Sequence, residues 1–136
     1  MIAESLAGRR IAITGSTGFV GTALVERLLR SAPGCELYLI VRGGRRGAAS
    51  RVKREILNND AFDRLREELH GTSEDFDAMA TRRVHAIDGD ISVDGLGLNE
   101  AGRAALSLCD IVIHSAAAVA FDSPLDSAVE VNLLGP

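Results

Sequence analysis

Apolar positions along the chain fall into four short continuous runs, and the stretches between them carry apolar residues at helical spacing. The runs lie in Arg10-Ile11-Ala12-Ile13-Thr14, in Glu36 to Val41, in Val84 to Ile87 and in Ile111-Val112-Ile113-His114. Continuous rather than alternating apolar character predicts parallel strands covered on both faces. Between the first two runs, Val20, Leu24 and Leu28, with Ala23 and Val25 beside them, form an apolar helical face, while Glu26, Arg27 and Arg30 point elsewhere. Pro33-Gly34 ends that helix. Strand, helix and strand within about thirty residues make a βαβ unit with a right-handed crossover. Met1 to Gly8 precedes it as a lead-in of helical or turn character.

The second connection is longer than an ordinary βαβ crossover. After the loop Arg42-Gly43-Gly44-Arg45-Arg46-Gly47, the pattern predicts a helix from Ala48 to about Leu57 with Val52, Ile56 and Leu57 on one face. A second helix is expected over Asp60 to Leu69, through Phe62 and Leu65, closed by Gly71-Thr72. A third is expected over Ser73 to Ala80, with Ser73 as N-cap, Asp75 and Asp77 in the first turn and Phe76 and Met79 as anchors. The segment 48–82 thus reads as an enlarged helical insert.

Asp88-Gly89-Asp90 ends the third strand, and Leu96, Leu98, Ala101, Ala104, Ala105 and Leu108 suggest a helix leading into the fourth. A last helix is expected from about Pro124 through Leu125, Val129 and Leu133, before the terminal Gly135-Pro136. Alternation of this kind predicts an α/β doubly wound parallel sheet of Rossmann type, in the order 3-2-1-4 and incomplete at the C-terminus. Residues 1–136 would then be the N-terminal part of one such domain.

Chemistry enters at the first strand end. In Ile13 to Gly21, Gly15, Gly18 and Gly21 recur every third residue, flanked by the strand and the helix that such a motif requires. The first N–H groups of a helix lack internal partners and sit at the positive end of its dipole, so a pyrophosphate is favoured there. Small residues let it approach. The expected ligand position is the topological switch point between strands one and four.

Composition adjusts this picture little. The 136 residues suffice for one core, with 46% hydrophobic and 25% charged residues. The formal net charge of −4, without long runs of either sign, does not suggest nucleic acid or an anionic membrane. No apolar run is long enough for a transmembrane segment and the N-terminus lacks a signal-peptide pattern, so a cytoplasmic location is the expectation. Cys35 and Cys109 precede strands separated by a third, roughly 10 Å apart. A disulfide needs Cα atoms within about 7 Å, so both are expected as buried, reduced thiols.

The glycine spacing, Gly89-Asp90-Ile91 after strand three and His114-Ser115-Ala116-Ala117 at the end of strand four together resemble the extended short-chain dehydrogenase/reductases. The insert with Phe62-Asp63-Arg64-Leu65-Arg66, the basic loop after Val41 and the tail Ala118-Val119-Ala120-Phe121 resemble, within that group, the fatty acyl-CoA reductases. Carboxylic acid reductase terminal domains are similar in the glycine turn.

The resemblance implies NADPH (NADP) as cofactor and particular positions for it. Thr14, Gly15, Ser16, Thr17, Gly18, Phe19 and Val20 would wrap the pyrophosphate. Arg42 stands where NADH-preferring enzymes place an acid, and its guanidinium suits the 2′-phosphate of NADPH, with Arg45 and Arg46 as helpers or as a solvated basic loop. Asp90 and Ile91 would contact adenine, or Asp90 serves as a turn and helix cap. Ser115, Ala116, Ala117 and Ala118 are small enough for close approach to ribose and nicotinamide, and equally for close helix packing. Asn132 matches a family asparagine, with a helix-end role open beside it. His114 is expected to be structural, and no metal site is expected.

The same resemblance implies a Tyr-x-x-x-Lys pair for catalysis, with Tyr as proton donor. The only tyrosine, Tyr38, lies in strand two and the only lysine, Lys53, in the insert, so no catalytic residue is assigned. The implied activity is hydride transfer to a fatty acyl-CoA thioester by a longer enzyme, giving aldehyde or alcohol, with this chain alone inactive. A non-catalytic dinucleotide-binding module, a carboxylic acid reductase domain and a nucleotide-sugar epimerase or dehydratase are the alternatives. Oligomerisation is left open.

Overall fold

Backbone pairing in a computed structural model of the chain gives four parallel strands in the order β3-β2-β1-β4. The structure describes residues 1–120 and 122–134. In chain order the elements are α1 (Ile2–Ser5), β1 (Arg10–Thr14), α2 (Phe19–Ser31), β2 (Glu36–Val41), α3 (Ala48–Arg51), α4 (Asp63–Leu69), α5 (Phe76–Arg83), β3 (Val84–Asp88), α6 (Glu100–Ser107), β4 (Ile111–His114) and α7 (Leu125–Val129). All four strands and their order match the expectation. Register pairs Ile11 with Leu37 and Ile111, and Tyr38 with His85, so the two sheet faces carry separate cores.

On one face, Ile11, Ile13, Leu37, Leu39 and Val41 pack with Val25, Leu28 and Leu29 of α2 and with Val52, Ile56, Phe62, Leu65, Phe76 and Met79 of the insert. On the other, Ala12, Tyr38, Ile40 and Ile87 meet Leu98 and, less deeply, Ala105 and Leu106 of α6. The insert therefore builds core, anchored by the edge-to-face pair Phe62–Phe76 at 5.8 Å and by Arg66 over the Phe76 ring.

Several local expectations need correction. The buried face of α2 is rotated: Gly21, Thr22, Val25, Glu26, Leu28 and Leu29 are buried, whereas Val20 and Ala23 are exposed. Glu26 tolerates burial because the Arg30 guanidinium sits 2.6 Å from it one turn on. The first insert helix changes to a π-helical winding over Val52–Leu57, which keeps Val52 and Ile56 inward. Asp75, not Ser73, caps α5, its carboxylate accepting from the Ala78 N–H at 2.9 Å. A cap there puts Phe76, Met79 and Ala80 on the core side.

Leu96, in a 3-10 turn over Asp94–Gly97, and Leu98, just after it, both precede α6, and Leu108 is exposed. Cys35 and Cys109 are both free thiols, Cys35 buried and Cys109 only partly so. The last helix begins at Leu125 and continues as a π-helical turn over Glu130–Leu134. Phe121, Gly135 and Pro136, which figured in the expectations, lie outside the described residues.

Candidate functional site

The two crossover directions part at β1: α2 and the insert cover one face, α6 the other. A cavity of about 500 Å³ opens at the C-terminal strand ends there, where an open α/β sheet places its ligand. Its lining brings together Thr14, Gly15, Thr17, Gly18, Arg42, Asp90, Ile91 and Ser115 to Ala118. Gly89 of the Gly89-Asp90-Ile91 motif joins them, and Ile40, Val41, Arg51, Ser92, Ser127 and Val131, which the motifs do not single out, complete the lining. Arg51 had a signal: it stands on the first helical turn after the basic loop.

Each glycine of the turn has its own reason. Gly15 has φ +73°, and a Cβ there would stand 2.5 Å from the main chain of Ser115 and Ala116. Gly21 admits α2 against the turn, since a Cβ would strike the Gly15 carbonyl and approach Ser16 Cα to 2.8 Å. Gly18 differs. Its φ of −81° suits any residue, and a Cβ would meet only the Gly15 carbonyl oxygen, at 3.3 Å. Folding demands little of this position, yet it lines the cavity and caps α2 without any side-chain hydrogen bond to the helix N–H groups. A glycine at the start of a helix without a side-chain cap fits a pyrophosphate.

Thr14 acts differently from the expectation. Its side chain is buried and turned across the sheet, where Oγ1 lies 2.8 Å from His114 Nδ1 and accepts from the N–H groups of Ser115 at 3.2 Å and Ala116 at 3.3 Å. It shapes the small-residue wall. His114 Nδ1 is occupied by the Thr14 hydroxyl, and among the described residues no group of three His, Cys, Asp or Glu is placed to hold a metal.

Another part of the cavity is walled by Ile40, Val41 and the turn after β3. Gly89 is compelled by packing, for a Cβ would stand 2.8 Å from Ile40 Cγ2. Asp90 Oδ1 accepts from Ser92 Oγ at 2.7 Å and from the Ser92 N–H at 2.9 Å. Those two bonds, first the hydroxyl and then the amide, hold the Asp90 carboxyl below the ordinary carboxylate range, with Arg42 contributing less. Asp90 is thus a turn-former that also lines the cavity.

Six expected contacts stand outside the lining. Ser16 is fully buried beneath the turn, its hydroxyl without a partner among the described residues. Phe19 and Val20 turn their side chains to solvent, 94% and 67% exposed, leaving only main-chain N–H groups of the first turn at the site. Arg45 and Arg46, on a 3-10 turn, line a second, more open cavity of about 400 Å³ beside the first, shared with Arg42, Arg51, Arg54 and Glu55. Asn132 grips the wall from behind: its amide accepts from the Ala118 N–H at 2.7 Å and donates to the Ala118 carbonyl at 2.9 Å.

A parallel sheet wound in both directions, a glycine turn at the switch point and a helix start without a side-chain cap beside the cavity define a nicotinamide-dinucleotide-binding α/β domain. Residues 13–136 match the family of NAD-binding domains described as Male sterility protein, and the chain belongs to that family. It is 33% identical to fatty acyl-CoA reductase 2, chloroplastic, of Arabidopsis thaliana, over 99% of this chain and 22% of that protein. Against fatty acyl-CoA reductase 1 of Rattus norvegicus it is 33% identical over 98% of this chain and 25% of the relative.

Among solved structures, the terminal R domain from the myxalamid PKS-NRPS biosynthetic pathway superposes with a TM-score of 0.68 at 31% identity, over 93% of this chain and 29% of that one. The chain spans about a quarter of the length of the curated relatives it matches. Among the described residues, no helix is long and apolar enough to cross a membrane.

Proposed function

We propose that residues 1–136 are the cofactor-binding portion of an NADPH-dependent fatty acyl-CoA reductase. One observation carries the choice of NADPH: the residue after β2, where an acid would hold the two ribose hydroxyls of NADH, is Arg42, exposed at the rim between two cavities. A guanidinium there matches a 2′-phosphate, and Arg45 and Arg46 on the adjoining turn add to the positive field.

The chain's own residues bind and orient. The turn from Gly15 to Gly18 and the start of α2 receive the pyrophosphate, Asp90 and Ile91 flank the adenine, and Ser115 to Ala118 admit ribose and nicotinamide. Once bound, the dinucleotide supplies hydride to an acyl thioester. The proton donor lies elsewhere, since Tyr38 sits in the buried β2 and Lys53 in the insert. The 136-residue chain alone therefore binds cofactor without turning over, and a fatty acyl-CoA belongs to the full-length enzyme.

Calorimetric titration of the full-length protein with NADPH and NADH tests the reading. NADPH should bind more tightly, and Arg42→Ala should weaken NADPH by roughly 10- to 100-fold while leaving NADH nearly unchanged. Equal affinities for the two cofactors would sink the 2′-phosphate assignment. Failure of a long-chain acyl-CoA to drive NADPH oxidation would remove the substrate assignment.

A further inference from the structure

Arg42 and Arg51 are common to the linings of the two neighbouring cavities, and only Arg42 has a place in the motif. The two are joined: Arg51 Nη1 donates to the Arg42 main-chain carbonyl at 2.9 Å. From its other side, Arg51 Nε donates to Glu55 Oε2 at 2.8 Å, one helical turn along. Glu55 in turn accepts from Arg54 Nη2 through Oε1, also at 2.8 Å. Hydrogen bonds from Arg51 first and Arg54 second hold the Glu55 carboxyl below its ordinary range, so the anchor is ionised at neutral pH.

We propose that Arg51, oriented by Glu55, is a positioning residue that braces the Arg42 backbone and thereby sets the preference for a ribose carrying a 2′-phosphate. The proposal rests on the NADPH reading given above and assigns the mechanism by which that preference is achieved. Backbone geometry makes the brace necessary. Arg42 is followed by Gly43 and Gly44, the second with φ +57°, so the chain after it has few conformational limits of its own.

Two side chains tie the loop to neighbouring elements, one on each side. Gly43 N–H donates to Asp88 Oδ1 at 2.8 Å, tying the loop to the end of β3, and Arg51 ties it to the insert. A guanidinium can do this because its fork offers separate nitrogens in fixed directions, one to the carboxylate and one to the carbonyl. A lysine ammonium is a point charge on a flexible stem and does not reproduce that geometry. The side chain of Arg51 is 26% exposed, so it is held in place and still borders both cavities.

The full-length protein should be titrated with NADPH, NADH, 2′,5′-ADP and 5′-AMP, comparing the native sequence with Arg51→Met, Arg51→Lys, Arg42→Ala and the Arg42→Ala/Arg51→Met double variant. Thermal melting serves as a control for folding. Arg51→Met should reduce the NADPH-to-NADH affinity ratio about tenfold, with a parallel loss for 2′,5′-ADP and none for 5′-AMP. Arg51→Lys should behave like Arg51→Met. In the Arg42→Ala background, Arg51→Met should change the ratio less than about twofold, because a brace has no effect without the group it holds.

A full ratio in Arg51→Lys would show that charge alone suffices and overturn the proposal. Additive losses in the double variant would overturn it too, by making Arg51 an independent phosphate ligand. A native protein with the NADPH preference, lost in Arg42→Ala and intact in Arg51→Met, would overturn this inference alone. A native protein with no preference overturns both readings.

Discussion

Thr14 and His114 meet across the crevice between β1 and β4, Oγ1 of the first lying 2.8 Å from Nδ1 of the second. Because the Thr14 hydroxyl also accepts from the Ser115 and Ala116 N–H groups, its two acceptor positions are taken and its proton is left for Nδ1. The hydrogen-bond network therefore assigns His114 the tautomer with hydrogen on Nε2. Thr14→Val keeps the shape and removes all three side-chain bonds, stranding the Ala116 N–H at the wall of the cavity, while the Ser115 N–H keeps the Thr14 main-chain carbonyl at 3.3 Å. The expected result is a loss of roughly 1–3 kcal/mol in denaturant unfolding, with Thr14→Ser recovering most of it. Dinucleotide affinity should fall with Thr14→Val as the Ser115–Ala116 backbone relaxes, which calorimetry measures directly.

Gly18 separates the demands of folding from those of binding. At Gly15 and Gly21 a methyl group collides with main-chain atoms, so alanine there should unfold the domain or cost several kcal/mol. Gly18 occupies the N-cap of α2 with the extended backbone that serine prefers at such a position. Gly18→Ser should leave the melting temperature unchanged or slightly raised. The same hydroxyl would occupy the cradle and compete for the helix N–H groups, so dinucleotide affinity should drop roughly tenfold or more. Undiminished affinity in a well-folded Gly18→Ser protein would mean that the pyrophosphate does not sit there.

Strand positions and sheet order were legible because β1, β2 and the runs at Val84 and Ile111 are nearly unbroken apolar stretches bounded by glycine, charge or proline. Helix faces were less legible. Val20 satisfies helical spacing yet points to solvent, because the register of α2 is dictated by Gly21 pressing on Gly15, and Glu26 moves inward under the Arg30 ion pair. The site followed the same division. Main-chain features such as the glycine turn and the Ser115–Ala118 wall announced themselves in residue size, whereas the directions of Arg45, Arg46 and Arg51 depend on a 3-10 turn and a π-helical winding that local pattern does not encode.

Asp90 gives the site a pH dependence of known sign. Its folded carboxyl is held below the ordinary range by the Ser92 hydroxyl and amide, so the ionised form favours the folded turn. The resulting contribution to stability is fully present above roughly pH 4, the unfolded carboxylate range, and is lost as pH falls through the depressed folded value. Ser92→Ala removes the stronger of the two bonds. Carbon-detected NMR titration should show the Asp90 carboxyl rising toward its ordinary range in that variant, and an unchanged titration would refute the assigned cause.

Arg83 joins the insert to the body of the domain, and its removal should be the most damaging of these changes. The side chain is buried at 6% exposure and has no carboxylate partner among the described residues. Its guanidinium instead donates to the carbonyls of Leu29, Ala32 and Cys35, each at 2.8 Å, and contacts Cys35 Sγ at 3.0 Å. Leu29 belongs to the last turn of α2, where carbonyls lack helical partners and the dipole is negative, so the cation satisfies hydrogen bonding and charge together. Arg83→Met matches the length of the apolar stem and takes the guanidinium from three buried carbonyls, of which that of Ala32 keeps the Cys35 N–H at 3.3 Å. Roughly 3 kcal/mol or more should be lost in equilibrium unfolding. Arg83→Lys offers one charged nitrogen where three guanidinium nitrogens, Nε, Nη1 and Nη2, reach different carbonyls, and should recover only part. Hydrogen exchange should locate the change at the C-terminal turn of α2 and in α5, with the glycine turn at the opposite end of α2 protected as before. Uniform loss of protection across both ends would show instead that Arg83 supports the whole domain rather than this junction.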